Sequence, residues 1–256
     1  MIYFYDGSFE GFLTVVFEAF RCKQEPEAII PTRSNIQIPM GEQVTIPRDD
    51  QKADRVWMAI KKKTNKKNAR MLNIAFFAQE AQKEMLLWRY LKKVFTCSDP
   101  GFYQNMLDED VNGVVDMARR VKREVHRFQG FVRFEKSVDG IYFAPIDPDH
   151  DIVRLLTSHF KARYADQPWV IYDTKRNYGI YFDTEKVLEV VIDDPNFDIN
   201  TGNLKDHAKD HDQDHYRHMW QAYYDAINII ERKNHRQMKN YMPKRYWKYL
   251  PEKNKR

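Results

Sequence analysis

Hydrophobic side chains recur at helical spacing through the first half of the chain. Met1 to Tyr5 reads as a short buried strand that ends at Asp6-Gly7. Ser8 can then cap a helix, since a side-chain oxygen at that position accepts from a free backbone N–H. The apolar face of this helix would comprise Phe9, Phe12, Leu13, Val16, Phe17 and Phe20. Similar faces predict three helices between Lys52 and Phe95 and another from Val111 to Phe128.

The middle of the chain changes to strand patterns. Runs at Phe131–Phe134 and Ile141–Ala144 flank Asp139-Gly140, a dipeptide typical of a tight hairpin turn. A helix from His150 to Tyr164 follows. Three apolar runs with short polar connections then predict an antiparallel meander, at residues 169–172, 178–182 and 186–192. A smaller hairpin is predicted earlier, where Ile36/Ile38 and Val44/Ile46 alternate around Gly41-Glu42.

The last quarter of the chain begins with an acidic connector. Beyond it the pattern predicts one long helix, from His215 to Lys239, and a basic aromatic tail. These elements predict a single α+β domain over residues 1–256, with a central, mostly antiparallel sheet flanked by several helices. The domain would consist of a helix-rich part (residues 1–128), an antiparallel sheet part (129–194), an acidic connector (195–214) and a C-terminal helix with the tail (215–256).

Composition restricts the class of protein. Of 256 residues 43% are hydrophobic and 14% aromatic, which indicates a folded chain. No apolar run is long enough for a membrane span, and acidic residues interrupt the N-terminal stretch, so neither membrane insertion nor a signal peptide is expected. Cys22 and Cys97 are too few for a disulfide scaffold or for a four-iron cluster held by protein thiolates alone. A reducing cytoplasm is the expected location.

Positive charge is concentrated in three segments, although the net charge is only +5. Residues 52–70 carry a net charge of +7, residues 119–136 carry +5 and residues 231–256 carry +8. Segregation of this kind can direct an electric field towards a polyanion.

Two of these segments supply candidate nucleic-acid contacts. Lys122, Arg123, Arg127 and Arg133 could reach phosphate oxygens, or form a solvated helix face with arginines paired to nearby acids. In the tail, cations alternate with rings that could stack on unpaired bases, and the candidates there are Lys244, Arg245 and Trp247. The same rings could instead anchor the tail on the core.

Candidate catalytic and metal-binding groups are sparse. Asp6 and Glu10 stand where a strand ends and a helix begins, and with His126 they could act as acid and base or hold a metal. The alternative is structural: Asp6 and Glu10 would cap the helix and interact favourably with its dipole. His207, His211 and His215 are four residues apart, so on one helix their imidazoles could share a metal ion. The alternative is that this segment is a solvated connector without the rigid geometry that a metal site needs. No phosphate loop, dinucleotide-binding glycine pattern or nucleophile elbow is present, so no cofactor is predicted.

Several separated motifs resemble one bacterial family, labelled only as probable DNA metabolism proteins. The motifs are Tyr5–Phe12, His126–Phe134, Ile141–Pro145, His159–Arg163, Trp169–Asp173, Tyr178–Ile180 and Met242–Glu252. The resemblance implies a task in DNA modification or repair beside a radical S-adenosylmethionine protein. Some members are fused to a uracil-DNA-glycosylase-like domain. The resemblance assigns no catalytic residue to this chain, because none is assigned in that family.

The leading hypothesis is a non-catalytic DNA-binding or scaffolding partner of that radical enzyme. One alternative is a glycosylase- or hydrolase-like enzyme acting on nucleic acid through Asp6, Glu10 and His126. Another is a protein-interaction module that docks a partner through its aromatic tail.

Overall fold

A computed structural model describes residues 1–32, 41–192, 197–198, 204–210, 212–226 and 234–253. Residue contacts divide the chain into two compact units, Met1–Lys122 and Arg123–Arg256. The α+β class is confirmed. The single-domain expectation stays a prediction, since two compact units can unfold together or separately.

The first unit contains a three-stranded parallel sheet. Its strands are β1 (Ile2–Tyr5), β2 (Ala28–Pro31) and β3 (Gln43–Thr45), in the order β2-β1-β3. Ile2 pairs with Ala28 on one side and Gln43 on the other. The small hairpin predicted around Gly41-Glu42 falls partly on residues 33–40, which lie outside the described residues. Its second run contributes β3, which pairs with β1 in parallel.

Four helices complete most of this unit: α1 (Phe9–Cys22), α2 (Asp50–Lys63), α3 (Lys66–Phe76) and α4 (Lys83–Thr96). The predicted cap of α1 is confirmed, because Ser8 Oγ accepts from the Gly11 amide at 2.9 Å. Most of the apolar face of α1 is buried, with Phe17 and Phe20 half-buried, and the ring of Phe9 packs edge-on against Phe76 with centroids 5.2 Å apart.

A fifth helix, α5 (Glu109–Phe131), crosses the boundary between the units. It continues three residues beyond its predicted end, so the strand expected at Phe131–Phe134 is wrong. Phe128 and Phe131 lie one helical turn apart, and both rings pack against Tyr246 at 5.0 and 5.9 Å. Burial of this helical pair outweighs the strand propensity of the aromatic run.

The second unit is built on a five-stranded sheet in the order β4-β5-β6-β7-β8. Its strands are β4 (Glu135–Lys136), β5 (Tyr142–Ile146), β6 (Trp169–Asp173), β7 (Tyr178–Phe182) and β8 (Val187–Val190). The turn at Asp139-Gly140 and the meander β6-β7-β8 are confirmed, although the first strand of the hairpin is β4 and not Phe131–Phe134. Strands β5 and β6 pair in parallel, however, with helix α6 (Val153–Arg163) between them in the chain. The expected mostly antiparallel character therefore describes this sheet but not the first one.

The described residues of the predicted C-terminal helix contain two shorter helices, on either side of residues 227–233. These are α7 (Gln213–Ala226) and α8 (His235–Tyr241). Asn234 has extended backbone angles, and its side chain caps α8 by accepting from the Gln237 amide at 3.0 Å. A new cap at this position rules out one continuous helix from 215 to 239. The tail follows as a 3-10 helical segment, Lys244–Tyr249, that buries Tyr246.

Candidate functional site

A cavity of about 410 Å³ lies in the second unit. Its volume falls within the roughly 300–1,000 Å³ that small-molecule sites occupy. The lining comes from the end of α5, the segment after it, β5, the end of α6, the start of β6 and α7. The lining residues are Gln129, Gly130, Val132, Arg133, Phe134, Tyr142, Phe160, Arg163, Tyr164, Gln167, Trp169 and Trp220.

Four of these aromatic rings pack together as one wall of the cavity. Phe134 contacts Tyr164 and Trp169, with ring centroids 5.4 and 6.4 Å away. Phe160 lies nearly parallel to Tyr164 at 6.2 Å and edge-on to Trp169 at 6.3 Å. Trp169 and Phe160 are only 1% and 2% exposed, so they back the half-buried rings of Phe134 and Tyr164 and hold them in place.

A buried carboxylate fixes another part of the lining. Glu252, 3% exposed, accepts from Arg133 at 2.8 Å and from the Trp220 indole nitrogen at 3.0 Å. The Arg133 guanidinium also lies over the Trp220 ring, 5.1 Å from its centroid. Burial acts to raise the pKa of Glu252, but the charge and hydrogen bonds of Arg133 outweigh it and the pKa is lowered. Arg133, predicted as a phosphate contact, is therefore paired with a carboxylate.

Three other lining residues keep their polar groups unpaired. Arg163 is exposed and makes no hydrogen bond or ion pair with the described residues, and its nearest recorded partner is the Tyr164 ring at 5.7 Å. The side-chain amides of Gln129 and Gln167 likewise bond to none of the described residues. No Asp or Glu lines the cavity. The site can thus receive a ligand that is planar, polar at its edge and negatively charged.

Four residues on one side of α5, three of them exposed and Arg127 half-buried, end at this cavity. Arg123 and Arg127 are four residues apart, as are His126 and Gly130, and the two pairs are offset by three residues, which places all four on one side of the helix. Arg123 and His126 have no partner among the described residues, and Arg127 donates to the Asn240 carbonyl at 3.1 Å. We call these four residues the basic face of α5. Lys122, also exposed, precedes it and belongs to the first unit.

The aromatic tail is anchored by one tyrosine. The hydroxyl of Tyr246 donates to Glu124 at 2.6 Å, and Glu124 also accepts from the backbone amides of Asp149 and His150. Burial and the Glu124 carboxylate raise the pKa of Tyr246, so its hydroxyl stays protonated as a donor. Arg245 pairs with Asp149 at 2.7 Å. Rings therefore hold the tail in place, as the structural alternative expected.

The other two tail candidates lie nearby in the chain. Lys244 is exposed and unpaired among the described residues, whereas the Trp247 indole donates to the Met242 carbonyl at 3.0 Å. Within the described part of the tail, Lys244 is thus a cation that remains available to an outside anion.

The proposed catalytic residues belong to different units. Asp6 accepts from the Ser8 amide and hydroxyl at 2.9 and 2.6 Å, and Glu10 lies 3.7 Å from Arg48, all within the first unit. His126 belongs to the second unit. Asp6 and Glu10 therefore take part in local capping and ion pairing, and the enzymatic alternative stays a prediction.

The histidine run does not lie on one helix. His207 is in a 3-10 helical turn, Asp206–Ala208, His215 is on α7, and His211 lies outside the described residues. Where the structure is described, no group of three or more His, Cys, Asp and Glu side chains is arranged to hold a metal ion. Nor does any helix in the described ranges have the length and apolarity needed to cross a membrane.

Sequence reasoning missed most of the cavity. Tyr164, Gln167 and Trp220 were not candidates, and Arg163 and Trp169 entered only through motifs of the resemblance. One local signal was available: Arg163-Tyr164 places a cation beside a ring at the predicted end of a helix. The other lining residues are brought together only by the fold.

The fold and this cavity define an α+β protein with an aromatic, cation-bearing site. A family profile matches residues 81–252, about two thirds of the chain, and the chain belongs to that family, described as a domain of unknown function, DUF4130. The match covers every residue of the cavity and of the basic face of α5. Neither a curated protein nor a solved structure matches the chain.

Proposed function

We propose that the chain binds nucleic acid, DNA in the first place, as a non-catalytic partner in DNA modification or repair. The observation that carries this proposal is the basic face of α5 ending at a cavity with aromatic walls. Cations neutralise the phosphate backbone and flat rings stack on unpaired bases, which together is how single strands are bound.

The charges on this face are available to a ligand. Arg123 and Arg127 contact no carboxylate among the described residues, and Arg163 at the cavity is unpaired. An unpaired guanidinium gives up only its hydration when it meets phosphate, whereas a paired one must first break an ion pair. The availability of these cations favours phosphate binding over a merely solvated helix face.

The accessory role rests on the resemblance in the separated sequence motifs. It implies that a radical S-adenosylmethionine protein performs the chemistry while this chain holds the substrate. The two cysteines of the chain agree with this division, because a four-iron cluster needs more thiolates than they supply.

The test is a titration of the purified chain with single-stranded and duplex DNA at several salt concentrations, followed by fluorescence anisotropy. Each neutralised phosphate releases counterions, so affinity should fall steeply with salt. Replacing both Arg123 and Arg127 by Glu should weaken binding and flatten the plot of log affinity against log salt. Loss of two phosphate contacts corresponds to a slope smaller by about 1.4 for a single strand.

The matched control is Lys175→Glu with Lys186→Glu, which changes net charge equally on exposed turns of the second sheet. This control should keep the slope of the unaltered chain. If both double variants lost the same affinity for DNA, the effect would come from net charge and not from the basic face of α5. If the unaltered chain did not bind DNA even at low salt, the proposal would be overturned.

A further inference from the structure

We infer that the cavity receives one unstacked base of a bound single strand. This inference rests on the proposed function and specifies it: the base enters between aromatic side chains while its phosphate meets Arg163. Continuous binding along the α5 face alone would not require a cavity.

The rings of the cavity leave a gap instead of closing on one another. Phe134, Phe160, Tyr164 and Trp169 form the packed wall described above. Tyr142 and Trp220 also line the cavity, and neither ring forms a ring–ring pair with that wall among the described residues. Protein interiors normally fill such space, so an open cavity lined by aromatic rings suits a planar guest.

The edge of a base would find unpaired hydrogen-bonding groups here. The amides of Gln129 and Gln167 each offer donors and an acceptor, the pattern that a base edge presents in return. In addition, Arg133 Nε and Trp169 Nε1, which belong to residues of the lining, are buried donors that have no acceptor among the described residues. An unpaired buried donor is unfavourable, and a ligand acceptor could satisfy it only if these side chains adjusted.

The approach to the cavity is open and positive. An added Cβ at Gly130 would meet no atom within 4 Å, so a strand can pass close to the backbone there. Arg127 stands three residues earlier on the same helix face, and Arg163 lies on the cavity itself. Phosphates on either side of an inserted base could contact these two cations.

The first experiment compares two single-stranded oligonucleotides of equal length, one carrying all its bases and one with abasic sites throughout. Both present the same number of phosphates. The base-bearing strand should bind roughly 5- to 150-fold more tightly, the fold-change expected for stacking of one base. Equal affinity of the two strands would overturn the inference while leaving the proposed function intact. Failure of both strands to bind would overturn the proposed function as well.

A second experiment locates the effect. Tyr164→Ala should remove most of the preference for the base-bearing strand, and Tyr164→Phe should retain it, because stacking needs the ring and not the hydroxyl. Tyr241→Ala is the matched control, since Tyr241 is 69% exposed in the same unit and outside the cavity. A preference unchanged by Tyr164→Ala would place the stacking elsewhere and overturn the inference.

Gly130→Leu also tests whether the preference for bases arises in the cavity, and it removes no core contact. Its side chain would extend into open space at the cavity, where the Cβ meets no neighbour. The variant should keep its circular dichroism spectrum but lose the preference for the base-bearing strand, and a preference equal to that of the unaltered chain would overturn the inference. If free nucleoside monophosphates bind and strands do not, the cavity is a mononucleotide site and the inference is wrong.

Discussion

At the scale of single residues, Glu252 is the most consequential side chain beside the cavity. It is almost fully buried, and its two oxygens accept from Arg133 and Trp220. Glu252→Gln removes the charge that Arg133 faces and should lower the free energy of unfolding by about 3 kcal/mol, the lower end for a broken buried pair, since Arg133 stays partly exposed. Urea denaturation of the purified variant measures this.

The control for this change is Glu185→Gln. Glu185 is an exposed carboxylate for which no ion pair is recorded in the described residues, and the variant should stay within about 0.5 kcal/mol of the original. A similar small effect for Glu252→Gln would mean that the Arg133 pair does not stabilise the second unit.

The lowered pKa of Glu252 also predicts how stability depends on pH. In the unfolded chain a glutamate has a pKa of about 4.3, and in the folded chain the pKa of Glu252 is lower. Its contribution is therefore complete above the unfolded value and declines as the pH falls through it towards the folded pKa. Between neutral pH and pH ~3, the unaltered chain should lose more stability than Glu252→Gln does. Parallel losses in both proteins would contradict this assignment.

At the scale of elements, two glycines have opposite roles. A Cβ on Gly179 in β7 would lie 2.7 Å from the Ile171 carbonyl oxygen, so Gly179→Ala should force β6 and β7 apart at a cost of about 1–3 kcal/mol. Gly130 has open space and lies near the end of α5, so Gly130→Ala should stabilise the helix by about 0.5 kcal/mol. Thermal unfolding of both variants would show midpoints shifted in opposite directions. Shifts in the same direction would contradict the packing argument.

The elements themselves were largely predictable from the sequence. The apolar face of α1 and its Ser8 cap are local features, and so is the turn at Asp139-Gly140. The short links of the β6-β7-β8 meander also restrict its pairing to neighbours in the chain. In each case the deciding interactions lie within a few residues of one another.

Pairing between distant segments was not predictable. Strand β1 lies between β2 and β3 and pairs with both in parallel. The spacing of apolar residues within each strand does not show which strand it pairs with, or in which direction. The end of α5 was also misplaced, because the ring that buries Phe128 and Phe131 comes from Tyr246, over 100 residues later. The cavity depends on such contacts throughout, which is why only parts of it could be found in advance.

At the scale of the whole molecule, the proposed interface lies entirely in the second unit and within the part that matches the family. The tail that closes this unit is structural as well as basic. Deletion of the tail is an obvious test of a docking role. The deletion would also remove the hydrogen bond between Tyr246 and Glu124 and the ion pair between Glu252 and Arg133. Loss of a partner after such a truncation would therefore not identify the tail as an interaction surface.

Truncation after Met242 does give a decisive measurement of another kind. Removing a buried tyrosine and a buried carboxylate should destabilise the second unit by on the order of 5 kcal/mol. Hydrogen exchange by mass spectrometry should then show amides of β5–β8 losing protection. If the two units unfold separately, the amides of β1 and of α1–α4 keep their protection, because none of their described hydrogen bonds involves the tail. Equal loss in both units would instead show one cooperative domain, as the sequence predicted, with the tail stabilising the entire chain.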